Sequence, residues 1–121
     1  MKFLPDAIQG PSITSYGAGW VAVNGERFER PLWVDSASGA RPWPCTGYEQ
    51  LDASHFSMFL EMRPELILFG SGDRLRFPRP EWLAALYAQR IGVETMDTQA
   101  ACRTYNFLVG EGRKVIAALL V

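Results

Sequence analysis

The residues Gly70-Ser71-Gly72-Asp73 end the apolar run "ELILF", and Arg74, Arg76 and Arg79 come directly after. Two glycines after a strand can curl backbone amides into a nest that holds phosphate. Two features count against that chemistry. The stretch "GSGDRLRF" lacks the Gly-Lys-Ser/Thr ending of a P-loop. The third glycine of a dinucleotide fingerprint is replaced by Leu75, and a helix opens only near Pro80, so its dipole lies far from the glycines. The competing reading is a turn whose glycines supply positive φ. The arginines admit two readings as well. In an extended stretch Arg74 and Arg76 share one face, with Leu75 and Phe77 on the other. They form either an arginine-rich docking surface or a solvated face paired with acids such as Glu81.

Other reactive side chains are sparse. Cys102 as a nucleophile needs a helix N-terminus, a basic neighbour or a metal. It sits more than a turn inside a predicted helix, and Arg103 points about 100° away from it. His55, the one histidine, has Met58 and Phe59 at helical spacing, which suits the edge of a core. No HExxH and no CxxC occurs, so no metal is expected. Cys45 and Cys102 are unclustered and are expected as free thiols. Asp97, Thr98, Cys102 and Asn106 share a helix by spacing, and capping and packing account for most of them.

The elements that position these residues can be read from periodicity. Residues 12–35 read as β-structure, with Asn24-Gly25 as a hairpin turn and Pro31 interrupting the second arm or marking it as an edge. Residues 36–50 read as an ordered loop. "LDASHFSMFLEMR" has helical spacing, is capped by Asp52 and stops at Pro64. "ELILF" reads as a buried strand. The next helix is "PEWLAALYAQR", with Gly92 at its C′ position. Then come the strand "VETM", a helix from Asp97 or Thr98 to about Gly110, and the strand "KVIAALLV". Strands separated by helices imply parallel pairing. The expected fold is α/β, with a mainly parallel central sheet over strands 65–69, 93–95 and 114–120, flanked by helices. An N-terminal β-hairpin layer (12–35) precedes the α/β core (51–121), in one domain over 1–121.

Composition fits a globular chain: 48% hydrophobic, 21% charged, net charge −1. Nucleic acid is not expected as a partner, because recognition of it usually needs a basic face. The opening "MKFLPDAIQG" lacks the apolar core of a secretory signal and the acid-poor, Arg-rich character of a transit peptide. No run is long enough to span a bilayer. A cytoplasmic protein without membrane insertion is the expectation.

"LILFGSGD", with "GVETMDTQAACRTYNFLVGEGRKVIAALL" after it, resembles a small α/β family of largely unknown function. Its best-known member is the mitochondrial complex I assembly factor three, and it has bacterial relatives. The resemblance covers most of the chain, including the hairpin region with "GW". It implies a single α/β domain with a parallel-strand core and a hairpin layer, without an established catalytic activity or cofactor. The mitochondrial relatives act by binding partner proteins. By position it marks Gly70, Gly72, Asp97, Thr98, Ala101, Cys102, Tyr105, Asn106, Leu108 and Arg113, with no role attached.

In open α/β sheets, ligands favour the crevice at the carboxyl ends of parallel strands. If the strands at 66–69 and 93–95 are neighbours, residues 70–73 and 97–102 face one another. The candidate crevice or partner surface is therefore Gly70, Ser71, Gly72, Asp73, Arg74, Arg76, Asp97, Thr98, Cys102, Tyr105 and Asn106. The sequence favours a non-enzymatic protein-interaction or assembly-helper domain with an unknown protein partner. The alternative is a small-molecule or anion-binding domain, conceivably an enzyme, that uses the GSGD turn.

Overall fold

A computed structural model describes residues 10–121. Most of the opening segment, residues 1–9, lies outside the described residues, and so does its reading as free of a targeting signal. Strands β1 (Ile13–Gly17), β2 (Trp20–Val23) and β3 (Glu26–Phe28) form an antiparallel sheet in that order. Asn24 and Gly25 join β2 to β3 with φ of 50° and 87°, as a two-residue hairpin turn requires.

Pro31 separates this first sheet from the second. Residues 32–35, expected in the hairpin layer, form β4 (Leu32–Asp35) of the second sheet. Residues 36–50, expected as loop, contain β5 (Gly39–Pro42) and a 3-10 turn at Tyr48–Gln50. The sequence "GARP" hides β5 because glycine and proline are depleted in strands, yet an edge position tolerates both.

Helix α1 (Ala53–Ser57) is shorter than its spacing suggests and gives way to a 3-10 turn at Leu60–Met62. Arg63 then takes a left-handed φ of 49° just before Pro64 and closes the turn, its amide donating to Leu60 O at 3.2 Å. Asp52 caps α1 as expected and accepts from the Ser54 amide at 2.8 Å. Next come β6 (Leu66–Gly70), α2 (Pro80–Ala88), β7 (Gly92–Met96), α3 (Thr98–Gly110) and β8 (Val115–Leu119).

The second sheet has the order β5-β4-β8-β6-β7. Strand β6 runs parallel to both β7 and β8, as the helical connections imply. Strand β4 is antiparallel to β8 and to β5. The sheet is thus mixed rather than mainly parallel. Alternation along each strand builds two cores. Ile67, Phe69, Ile116 and Ala118 face α1 and α2 over an aromatic cluster of Trp33, Trp43, Phe56, Phe59 and Trp82. Leu68, Val115, Ala117 and Leu119 face α3 and the three-stranded sheet.

The ends of α2 and α3 use one device with different residues. In α3 the Gly112 amide donates to Val109 O (2.9 Å) and the Arg113 amide to Leu108 O (3.0 Å). In α2 the Arg90 amide donates to Tyr87 O (2.9 Å) and the Ile91 amide to Leu86 O (3.0 Å). Both are Schellman closures with a left-handed residue at C′: Gly112 at φ 79° and Arg90 at φ 63°. Gly92, expected at that position, opens β7 instead, because burial of Ile91 beside Leu86 fixes Arg90 at the turn. Arg90→Gly is expected to raise stability by about 1 kcal/mol and Gly112→Arg to lower it by about as much. Urea midpoints at unchanged m-value measure both.

Candidate functional site

The loop after β6 leads to α2 on one face of the sheet, and the loop after β7 leads to α3 on the other. That divergence makes a switch point at the carboxyl ends of β6 and β7. Thr98 ties it together. Its hydroxyl donates to Leu120 O (2.6 Å) and accepts the Gly72 amide (2.8 Å), while its own amide donates to Gly72 O (2.9 Å). Gly70 permits this approach. A Cβ there would stand 2.8 Å from Leu119 Cδ2, 3.0 Å from Thr98 Oγ1 and 3.1 Å from Thr98 Cα. Gly72 answers a different need, with φ at +101° and open space where a Cβ would lie.

Two amides of the GSGD turn are already engaged. The Ser71 amide donates to Met96 O (2.9 Å), and the Gly72 amide is held by Thr98. The Ser71 hydroxyl donates to Arg74 O (2.7 Å) and accepts the Arg76 amide (3.1 Å), which folds the loop back on itself. A phosphate nest built from these two glycine-flanked amides is therefore closed off.

A cleft of about 400 Å³ does lie at this end of the sheet. Ser71, Gly72, Asp73, Arg76, Thr98 and Gln99 form one side. The turn Tyr16–Gly19, the pair Gly47–Tyr48 and the end of the chain at Leu120–Val121 complete it. The sequence reading missed these last three stretches. "YGAG" and "GY" are small-residue turns beside an aromatic, but nothing local says that they meet at the sheet's carboxyl edge. A second concavity, about 620 Å³, lies at the opposite end beside Arg63, Pro64 and Arg90.

Arg76 departs from the expected solvated face. Its guanidinium lies 4.2 Å from the Tyr48 ring centroid, and its Nη1 is 3.4 Å from Glu49 rather than paired with Glu81. Its Nε is buried and has no acceptor among the described residues. Leu75 and Phe77 are outward instead, 53% and 66% exposed. The Tyr48 hydroxyl donates to Phe77 O (2.6 Å) and so fixes the loop that carries them. Arg74 is exposed and is not part of the cleft wall.

The remaining candidates point elsewhere. Asp97 caps α3 and accepts the Ala100 amide at 3.0 Å. Asn106 clamps β1: its Oδ1 accepts the Ile13 amide (2.9 Å) and its Nδ2 donates to Ile13 O (2.7 Å). The buried Tyr105 hydroxyl donates to Pro11 O (2.8 Å), and burial raises its pKa above the ordinary phenol value. Cys102 packs beneath β1 and β2, where burial pushes its thiol up to about 12. Burial raises Cys45 to about 11. Both are free thiols on opposite faces of the sheet and are protonated at neutral pH. His55 Nδ1 accepts the Asp52 amide (3.1 Å), and its Nε2 lies 2.9 Å from Pro44 O, so the ring is tied into the start of α1. Among the described residues no group of His, Cys, Asp and Glu could hold a metal, and no helix is long and apolar enough to cross a membrane.

The family described as "Protein of unknown function (DUF498/DUF598)" matches residues 13–120. The chain belongs to this family. It is 38% identical over 110 residues to the NADH dehydrogenase (ubiquinone) 1 alpha subcomplex assembly factor 3 of Bos taurus, covering 89% of this chain and 59% of that protein. It thus spans less than two thirds of the length of that relative. The 13 kDa major membrane protein of Francisella tularensis is 32% identical, with 99% of each chain covered. A crystal structure of a Bordetella parapertussis protein matches with a TM-score of 0.86 at 38% identity, covering 92% of this chain and 95% of that one. The family resemblance read from the motif block holds, and so does the α/β class.

Two family-motif positions give contrasting expectations. Asn106→Leu leaves both polar groups of Ile13 without their partners and should cost about 1–3 kcal/mol. Gly70→Ala pushes α3 off the sheet and should cost a similar amount, about 1–3 kcal/mol, through overpacking. Denaturant titration reads both. Cys102 should react with a thiol reagent at pH 8 only as fast as the protein opens, because its thiol is buried and protonated.

Proposed function

We propose that this chain is a protein-interaction domain that serves as an assembly helper. The observation that carries the reading is the loop at 73–79. It is pinned from inside by Ser71, Arg76 and Tyr48, and it displays Leu75 and Phe77 outward with Arg74 and Arg79 beside them. A rigid loop presenting two large apolar side chains and two arginines suits protein recognition, where aromatic residues and arginine are enriched at contact centres. Relatives named as assembly factors support the same reading. The chemistry of the thiols agrees with it, since both are protonated at working pH. In this reading the protein is cytoplasmic. The name of the Francisella relative makes cell fractionation the check, and recovery in a membrane fraction would overturn that part.

The test is paired affinity capture from the native cell, with wild type and a Leu75→Ser/Phe77→Ser variant. Exposed positions of this kind change stability by about 0.5 kcal/mol or less, so the melting curve should hold. A partner using this loop should drop roughly tenfold or more in recovery, equivalent to about 1.4 kcal/mol of binding. Equal recovery of every specific partner by both proteins would move the interface away from the loop.

A further inference from the structure

The cleft carries two features that bear on what it could hold. The first is Arg76. Tyr48 covers one face of its guanidinium. Its one ionic partner among the described residues, Glu49, is 89% exposed and sits at a long 3.4 Å. Its Nε is a buried donor without an acceptor. The Nε is closed to solvent, so the part of Arg76 open to a ligand is the rest of its guanidinium, on a side chain that is 32% exposed. The second is Gly47, which lines the cleft next to Tyr48. Its φ of 169° is extended backbone open to any residue, and a Cβ there would meet nothing within 4 Å. Neither conformation nor packing demands glycine at this cleft-lining position. Gly19 and Gly72 line it too, at positions where φ values of 79° and 101° call for glycine.

We propose that the cleft binds a small molecule carrying one oxyanion group, carboxylate or phosphate, on a compact body. Arg76 holds the oxyanion. Its planar fork matches two oxygens, and its stacking on Tyr48 sets its orientation before binding. The exposed Glu49 carboxylate gives way to the ligand, as a weakly held surface partner can. The body lies against the glycine-lined walls, with Tyr16 and Leu120 as apolar contacts. The volume, about 400 Å³, is within the usual range for small-ligand sites. The amides of Ser71 and Gly72 take no part, because Met96 O and the Thr98 hydroxyl already hold them. The position at the switch point of the sheet is where α/β folds place ligands.

The experiment is an amide-resolved NMR titration of the full chain with four probes: benzoate, phenyl phosphate, the neutral isostere benzamide, and inorganic phosphate. Saturable shifts at Gly19, Gly47 and Gly72 are expected with benzoate or phenyl phosphate, with a dissociation constant on the order of 1 mM or below. The stronger of the two identifies the oxyanion class. Benzamide and inorganic phosphate should bind roughly tenfold more weakly or worse, one lacking the charge and the other the body. Arg76→Gln should weaken binding by a similar factor, roughly tenfold. Gly47→Val should block it while Arg76 stays in place and the melting curve is unchanged. No saturable shift with either anion, equal binding of benzamide, or full binding by both variants would each overturn the proposal.

Discussion

One hydroxyl group holds the functional end of this molecule together. Thr98 Oγ1 joins the segment after β6 to the end of β8, and the Thr98 amide adds a second bond to the same Gly72. Three chain segments that are remote in sequence share that side chain, and each brings a backbone group that water cannot reach freely. Any of these groups left unpaired would cost about 1–3 kcal/mol. Gly70 is the steric counterpart, because the helix can seat its first residue this close only where the strand has no Cβ. The cleft, the path of the GSGD loop and the tilt of α3 all depend on this junction.

The same helix fixes the three-stranded sheet by its other side. Asn106 satisfies both the amide and the carbonyl of Ile13, as a neighbouring strand would. Tyr105 anchors Pro11, and Cys102 and Ala101 fill the apolar space beneath Val21 and Val23. Most of the motif block from Asp97 to Asn106 is thus accounted for by the joining of two sheets through one helix. What that scaffold leaves unassigned is the cleft and the outer face of the 73–79 loop, which lie on two sides of one stretch of chain.

That stretch shows how a site can be half legible. Alternation places Arg74 and Arg76 on one face and Leu75 and Phe77 on the other, and hydropathy then turns the arginines outward. The fold departs from this because Tyr48 stands beside the loop. Its ring stacks on Arg76 and its hydroxyl takes hold of Phe77 O, so the long arginine stem lies inward and the two apolar side chains face water. Tyr48 lies in a segment that reads as connector, and no local signal couples it to residues nearly thirty positions later. Of the two glycines, one was legible in its cause and the other was not. Gly72 serves a positive φ, whereas Gly70 makes room for Thr98, a requirement that exists only once the helix is in place.

The sequence by itself determined the local elements whose causes are local. Asn24-Gly25 set a hairpin, Asp52 and Asp97 set helix starts, and the helices between β6, β7 and β8 set their parallel pairing. It also carried the family, through a long block of specific residues. Tertiary structure alone decided that β4 and β5 extend the central sheet, that Arg90 rather than Gly92 closes α2, and that turns at 16–19 and 47–48 meet the GSGD loop across a cleft. The physical reason is common to all three. Each outcome depends on which distant surface buries a residue: Ala118 opposite Trp33, Leu86 beside Ile91, Tyr48 over Arg76. Periodicity and turn chemistry report what a segment prefers alone, while contacts between remote segments exist only in the folded chain.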